Sequence, residues 1–109
     1  MLFGYDTTVE LRHLRYFVAV AELRNVTEAA RRLHVAQPAL SRQIQDLEEE
    51  LGVKLLERST RGIKLTEAGK FFADEAVAVL ARADQALKAV RALARGETGE
   101  LRVGYASGL

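Results

Sequence analysis

The chain has 109 residues, a formal net charge of +1, 49% apolar residues and no cysteine. This length allows one small domain with an appendage, the apolar fraction excludes a disordered chain, and the lack of cysteine excludes disulfides, thiolate catalysis and cysteine-ligated metals. No apolar run approaches the ~20 residues that span a bilayer, and we expect a cytoplasmic protein. Charge is concentrated locally: residues 54–70 hold five basic and two acidic side chains.

Residues 1–9 lack a hydrophobic period and are expected to form a disordered or tag-like leader. A first helix is predicted over about Glu10–Leu23, with inward residues Leu11, Leu14, Phe17, Val18 and Ala21. A short second helix is predicted over about Thr27–His34, capped by either Asn25 or Thr27. Its inward side includes small residues, Ala29 and Ala30, which let another helix approach closely.

The third helix carries the most information. Its apolar residues fall at steps of four, three and four, which places them on one helical face: Leu40, Ile44, Leu47 and Leu51. The outward side of its N-terminal half has amides, a hydroxyl and one guanidinium, and acidic residues begin only at Asp46. We interpret Glu48-Glu49-Glu50 as a solvated run. An acid-free half with amides and arginine suits a DNA major groove, although an ordinary solvated face has the same composition.

The second and third helices are joined by a brief turn and therefore predict a helix-turn-helix. Two short strands are predicted next, Leu55–Arg58 and Gly62–Leu65, around a basic tip at Ser59-Thr60-Arg61. Such a hairpin beside a helix-turn-helix is a wing. A solvated basic turn is the alternative reading of the same residues.

A long helix is predicted from Thr66, its capping residue, to about Arg95. Its apolar residues repeat at steps of four and three, which is typical of a coiled-coil seam. The predicted dimer interface consists of Phe72, Ala76, Val79, Leu80, Ala83, Ala86, Leu87, Val90 and Leu93. The alternative is that this stripe folds back on its own domain.

Four segments follow from this pattern: a leader (1–9), a winged helix-turn-helix domain (10–65), a linker and dimerisation helix (66–95), and a last segment (96–109). The last segment is expected to be a hinge and the first strand of a truncated effector-binding domain. The fold class is mainly α. His13 and His34 fit no metal-binding spacing, and no nucleophile or phosphate-loop motif is present. We therefore predict no enzymatic activity, no metal site and no cofactor.

Several motifs in order resemble the DNA-binding region of LysR-type transcriptional regulators, over about Glu10 to Gly69. They are Leu11-Arg12-His13-Leu14-Arg15-Tyr16-Phe17, Ala29-Ala30-Arg31-Arg32-Leu33-His34-Val35, Gln37-Pro38-Ala39-Leu40-Ser41-Arg42-Gln43-Ile44, Leu47-Glu48, Leu51-Gly52, Leu55-Leu56-Glu57-Arg58 and Leu65-Thr66-Glu67-Ala68-Gly69. The wording of the first and third motifs is similar to the branch that controls aromatic-compound catabolism.

The resemblance implies a sequence-specific DNA-binding domain of a bacterial transcription regulator. It implies a homodimer, made through an antiparallel pair of linker helices, on double-stranded DNA with an inverted-repeat promoter site. Full-length members usually form tetramers and sense a small-molecule effector through a C-terminal domain, which we expect to be missing from this sequence. No membrane partner is implied.

The family's contact positions fall on particular residues of this chain. The base-reading positions in the major groove match Gln37, Pro38, Ala39, Ser41 and Arg42. Arg61 matches a wing position that reaches toward the minor groove, and Arg31, Arg58 and Lys64 would hold the DNA backbone. One departure concerns Ala36, which stands where many members have a capping serine.

The same elements also suit a winged-helix protein-interaction module with a coiled-coil dimer arm and no role with nucleic acid. A protein-docking face is expected to be apolar or aromatic at its centre. The outward side of the third helix is polar instead, with Gln37, Ser41, Arg42 and Gln45. This composition favours DNA as the partner.

Overall fold

The structure is a computed structural model that describes residues 7–96. In order, its elements are α1 (Leu11–Leu23), α2 (Val26–Leu33), α3 (Gln37–Leu51), β1 (Leu56–Ser59), β2 (Gly62–Leu65) and α4 (Glu67–Ala94). This order confirms the predicted fold class, a winged helix-turn-helix with three helices and a two-stranded wing, followed by a long helix. No helix within the described range has the length and apolarity needed to cross a membrane.

The chain divides after Val77 into two compact units. The first unit holds α1, α2, α3, the wing (β1, β2 and the turn between them) and the beginning of α4. The described part of the second unit is the rest of α4 and the residues up to Gly96.

Local chemistry explains where the three helices of the first unit begin and end. The backbone N–H of Glu10 donates to His13 Nδ1 at 2.9 Å at the start of α1. Asn25, not Thr27, caps α2, because its Oδ1 accepts from the Glu28 N–H at 2.9 Å. Gly52 ends α3 with a φ of 72°, the left-handed conformation that glycine adopts at low cost.

The core of the first unit lies where the three helices meet β1. Its largest fully buried side chains are Phe17, Val20, Leu40, Ile44 and Leu55. Two residues predicted to face inward differ from expectation, since Leu11 is 44% exposed and Leu51 is 40% exposed. Each is a terminal residue of its helix and therefore lies beyond the neighbouring helices that cover the central turns.

The wing is a regular antiparallel pair. Leu56 lies opposite Leu65, and both side chains are buried, which anchors the open end of the hairpin on the core. Ser59 lies opposite Gly62, so Thr60 and Arg61 form the turn. Gly62 has a φ of 114°, a left-handed conformation that glycine adopts at low cost.

The described end of the leader is held against α3. The hydroxyls of Thr7 and Thr8 donate to the Glu50 carboxylate at 3.4 and 3.0 Å, and Val9 packs partly buried against the core. The predicted leader thus has contacts at its described end, residues 7–9. Residues 1–6 and the predicted strand near the end of the chain lie outside the described residues.

Candidate nucleic-acid interface

One face of α3 is buried and the other is open. Leu40, Ile44 and Leu47 are all 3% exposed or less. The opposite side presents the recognition face, defined here as the five predicted base-reading residues. Four of them are exposed and Ser41 is half-buried, so the structure brings all five together on one helix: Gln37, Pro38, Ala39, Ser41 and Arg42.

The polar members of the recognition face have only weak partners within the helix. Gln37 Nε2 donates to Ser41 Oγ at 2.9 Å. Arg42 Nε lies 4.0 Å from Asp46 Oδ1, with both side chains more than half exposed. Exposed pairs of this kind contribute about 0–1 kcal/mol, so these groups are free to exchange their partners for a ligand at little cost.

The beginning of α3 lacks a side-chain cap. Ala36 occupies the N-cap position and has no acceptor, while Pro38 sits in the first turn, where its missing N–H costs nothing. The departure noted in the sequence is therefore present in the structure. The positive end of the helix is consequently open to an anion from outside the chain.

The predicted wing residues do not form one cluster. Arg61 is exposed in the turn, where its backbone N–H donates to Ser59 Oγ at 3.2 Å. Arg58 lies opposite Ile63 and Lys64 lies opposite Glu57. Because neighbouring strand positions point to opposite faces, Arg58 and Lys64 lie on different faces of the wing, and only Lys64 has a carboxylate directly across from it.

Arg31 is the remaining predicted backbone contact. It is exposed on α2, and its guanidinium pairs with Glu28, one turn earlier in the same helix. This pair offsets part of its charge. Arg58, Arg61 and Lys64 have no ion pair within the described residues, which makes the wing the stronger cationic surface.

Sequence reasoning missed Glu48, which it assigned to a solvated acidic run. Its side chain is buried, with the residue 9% exposed, and Oε2 accepts from the backbone N–H groups of Leu55 at 2.8 Å and Leu56 at 3.1 Å. Lys54 Nζ lies 3.8 Å from its Oε1. A signal was available, because position 48 is four residues after Ile44 and therefore borders the buried face of α3.

The same segment of chain is held from its other side by the beginning of α4. Thr66 Oγ1 accepts from the Gly69 N–H at 2.9 Å and donates to the Lys54 carbonyl at 2.7 Å. The Thr66 N–H donates to the Leu55 carbonyl at 3.0 Å. Thr66 thus caps α4, as predicted, and also fixes the residues that lead into β1.

The predicted dimer residues fall into two groups. Phe72 is partly buried, its ring centroid 5.5 Å from that of Phe17, and Ala76 is 1% exposed. These two therefore pack within the chain itself, which leaves Ala76 almost no surface for a partner. The assignment of all nine residues to a dimer interface stays a prediction. The other seven lie in the second unit and are exposed or half-buried: Val79, Leu80, Ala83, Ala86, Leu87, Val90 and Leu93.

Within residues 7–96, no three His, Asp or Glu side chains come together closely enough to hold a metal ion. Every buried side-chain nitrogen and oxygen there has a hydrogen-bond partner. The polar groups still available to a ligand are therefore those of the surface, above all the recognition face and the wing.

Comparison with known proteins gives a consistent result. Residues 11–70 match the family model of the bacterial regulatory helix-turn-helix proteins of the lysR family. The HTH-type transcriptional regulator BudR of Klebsiella aerogenes is 52% identical over 99 residues, which cover 91% of this chain and 69% of the relative. TcbR of Pseudomonas sp. (strain P51) is 54% identical over 97 residues, but the match spans only 33% of that regulator.

The solved structures that this chain resembles include DNA complexes of two DNA-binding domains. A DNA complex of the BenM DNA-binding domain at catB site 1 has a TM-score of 0.81 and 51% identity, covering 84% of this chain and 99% of that one. A DNA complex of the CbnR DNA-binding domain has a TM-score of 0.75 and 52% identity, covering 79% of this chain and 99% of that one.

Proposed function

The chain belongs to the lysR family of bacterial regulatory helix-turn-helix proteins, and we propose that residues 7–96 bind double-stranded DNA sequence-specifically in a transcription regulator. The observation that carries this proposal is the recognition face. It combines polar and small apolar groups, has no acidic residue, and lies on a helix whose opposite side is buried in the core, so that its donors and acceptors are rigidly placed. The solved DNA complexes of BenM and CbnR domains support the same role.

The recognition face would read base edges in the major groove. A guanidinium binds a guanine edge with two parallel hydrogen bonds, an amide reads a base edge, and small apolar groups contact thymine methyls. We assign these roles to Arg42, to Gln37, and to Pro38 with Ala39, respectively. Ser41 lies half-buried beside Gln37 and would orient the amide through the 2.9 Å hydrogen bond between them.

The wing would hold the DNA without reading much of its sequence. Arg61 at its tip would reach the minor groove, where a narrow A·T-rich groove attracts arginine. Arg58 and Lys64, on opposite faces of the wing, cannot both follow one phosphate run, so we expect Arg58 to contribute more than Lys64, which faces Glu57. Arg31 would contact phosphate only after loosening its pair with Glu28.

The second unit would provide the dimer. Val79, Leu87 and Val90 are 45%, 56% and 60% exposed, an unusual share of large apolar side chains for a helix left in water. Pairing with a second copy would cover them, and a two-fold dimer implies an inverted-repeat site. Tetramer assembly and a response to a small-molecule effector stay predictions drawn from the family resemblance.

Fluorescence anisotropy tests the base-reading role directly. A preferred inverted-repeat duplex would first be selected from a randomised library, and a scrambled duplex of equal length would serve for comparison at the same salt concentration, since affinity for DNA depends strongly on salt. We expect Arg42→Ala to weaken binding to the preferred duplex by about 1–3 kcal/mol and to change binding to the scrambled duplex much less.

Lysine substitutions sharpen this test. Arg42→Lys keeps the charge but removes the two-pronged contact, so it should lose nearly as much preference as Arg42→Ala. Arg61→Lys should retain most of the affinity for DNA. Arg61→Ala should reduce the slope of log affinity against log salt concentration by about one. Equal losses on both duplexes for Arg42→Ala would contradict base reading, and no binding to either duplex would favour the protein-interaction alternative.

A further inference from the structure

Glu48 is an unusual residue for a helix that we propose to bind DNA. Within residues 7–96 it is the only buried charged residue, yet it lies on α3, the helix that carries the recognition face. Its carboxylate turns away from the groove side, toward the segment that connects α3 to the wing. Removing a carboxylate from water costs free energy unless good hydrogen bonds replace the water, so the contacts of Glu48 need an explanation.

Those contacts join two DNA-facing elements. One oxygen, Oε2, accepts two consecutive backbone N–H groups, those of Leu55 and Leu56, at 2.8 and 3.1 Å. Leu56 is the first residue of β1. Hydrogen bonds from N–H groups to a carboxylate are about twice as strong as neutral ones, and two on one oxygen fix both the position and the direction of the strand.

The strand is fixed from the other side as well. Thr66 binds the Lys54 carbonyl and the Leu55 carbonyl, at 2.7 and 3.0 Å. Residues 54–56 are thus held between Glu48 of α3 and Thr66 at the start of α4. Beyond Leu56 and Leu65 the wing has exposed or half-buried side chains, and of these only Ile63 packs partly buried against the core. Few apolar contacts therefore determine where the tip of the wing lies.

We propose that Glu48 is a positioning residue that fixes the wing relative to the recognition helix, so that Arg61 and the recognition face bind DNA at the same time. This inference rests on the proposed function. The role is mechanical: Glu48 touches no DNA, and its effect on affinity passes through the orientation of β1.

Three substitutions separate its possible contributions. Glu48→Ala leaves the N–H groups of Leu55 and Leu56 without a partner. Glu48→Gln removes the charge but keeps an oxygen that can accept both N–H groups. Glu49→Ala is the matched control, because Glu49 is an exposed neighbour on the same helix and its loss changes the charge near DNA by the same amount.

The first test is a double-mutant cycle on DNA affinity, on the preferred duplex, at a temperature where each variant is folded by circular dichroism. We expect Arg61→Ala to weaken binding about tenfold in the native, Glu48→Gln and Glu49→Ala backgrounds, and less than about threefold in the Glu48→Ala background. Arg42→Ala should lose the same factor in all four, because α3 itself stays in place. A full Arg61 effect in Glu48→Ala would overturn the proposal.

The second test needs no DNA, so that it can fail independently of the proposed function. The chain has no cysteine, which allows spin labels at Glu49→Cys on α3 and Thr60→Cys at the wing tip, diluted with unlabelled chain to suppress pairs between copies. We expect a narrow label-to-label distance distribution for the native chain and Glu48→Gln, and a broad one for Glu48→Ala. Equal widths in all three would refute the positioning role even if DNA binding is lost.

A shorter acid covers the case in which Glu48→Ala does not fold. Glu48→Asp keeps the charge but withdraws the carboxylate by one methylene, so one oxygen cannot reach both N–H groups. We expect it to broaden the label distance and weaken the Arg61 effect as Glu48→Ala would. If Glu48→Asp behaves like the native chain, the contacts at Leu55 and Leu56 do not position the wing.

Discussion

The same hydrophobic repeat runs through both halves of α4, residues 67–77 and residues 78–94, but its side chains are buried to different extents in the two halves. In the first half, Gly69 and Ala76 are buried and Phe72 packs on Phe17. In the second half, the apolar residues of the repeat stay open, with Leu87 56% exposed and Val90 60% exposed. One continuous periodicity therefore serves a domain core first and an uncovered surface later.

This contrast teaches that periodicity marks a face of a helix but not what covers it. A spacing of four and three residues places side chains on one side, whether the neighbour is the same domain or a second copy. In α4 the change coincides with the boundary between the two compact units, after Val77. Substitutions that change one half at a time therefore separate the two roles.

Among substitutions in the first half of α4, Gly69→Ala should change the free energy of unfolding most. An added Cβ would lie 2.1 Å from the Leu55 carbonyl oxygen and 3.0 Å from its carbon. Both are backbone atoms that cannot rotate away. We expect the free energy of unfolding to fall by about 3 kcal/mol or more, against the ~1 kcal/mol gain that alanine normally gives over glycine within a helix. Urea denaturation followed by circular dichroism measures it.

Gly52→Ala is the control for this substitution. A methyl group added at Gly52 would meet open space, but the residue has a φ of 72°, so only left-handed backbone strain of about 1–2 kcal/mol applies. A loss for Gly69→Ala no greater than that for Gly52→Ala would show that α4 does not pack closely on Leu55.

Leu87→Glu should disrupt the second half without unfolding the first. Burying a leucine contributes about 1.5–3 kcal/mol, and a dimer that covers residue 87 would instead have to bury a charge. We expect sedimentation equilibrium to show a shift from dimer to monomer. Thermal melting of the helix-turn-helix core, measured at a dilution where the native chain is also monomeric, should stay unchanged.

Gln85→Glu introduces the same charge on the same helix, outside the heptad stripe, and should leave the proposed dimer intact. Should Leu87→Glu remain as dimeric as Gln85→Glu, the exposed stripe of the second half is not the dimer contact, and another surface has to be sought.

Much of this organisation follows from the sequence. The spacing of apolar residues locates α3 and its buried face, and two short strands around a basic tip predict the wing. The burial of Glu48 could not be predicted by the same means, because three consecutive acidic residues look solvated unless the path of the following chain is known. The Leu55 and Leu56 N–H groups approach Glu48 only after the chain turns at Gly52.

The sequence alone also could not show which of the predicted site residues share a face, because the tertiary path of the chain decides this. The recognition face, which the family resemblance implies, lies along one helix, and its role in base reading stays a prediction. Arg58 and Lys64 share the wing but face opposite ways, because strand register decides this. Phe72 and Ala76 match the stripe yet pack inside the chain, since tertiary contacts decide which part of a repeat is covered.

Thr66→Val should lower the free energy of unfolding by a smaller amount than Gly69→Ala. It removes the acceptor for the Gly69 N–H and the donor to the Lys54 carbonyl while keeping a similar shape. Loss of a cap costs about 0.5–2 kcal/mol, and we expect a decrease within this range in chemical denaturation. Thr66→Ser preserves both hydrogen bonds and should stay near the native value. A decrease for serine equal to that for valine would point to the methyl group instead.

The smallest effect is expected for the ion pair on the second half. Lys88 Nζ lies 2.9 Å from Asp84 Oδ2, one turn apart, but their side chains are 71% and 59% exposed. Such helix pairs contribute about 0.3–0.5 kcal/mol and weaken with salt. The free energies of unfolding of Lys88→Gln, Asp84→Asn and the double variant should give a coupling energy in that range at about 10 mM salt. Near about 1 M salt we expect almost no coupling. A larger, salt-resistant coupling would mean that these side chains are covered in solution, and the apolar stripe would then not be the only contact surface of this half of α4.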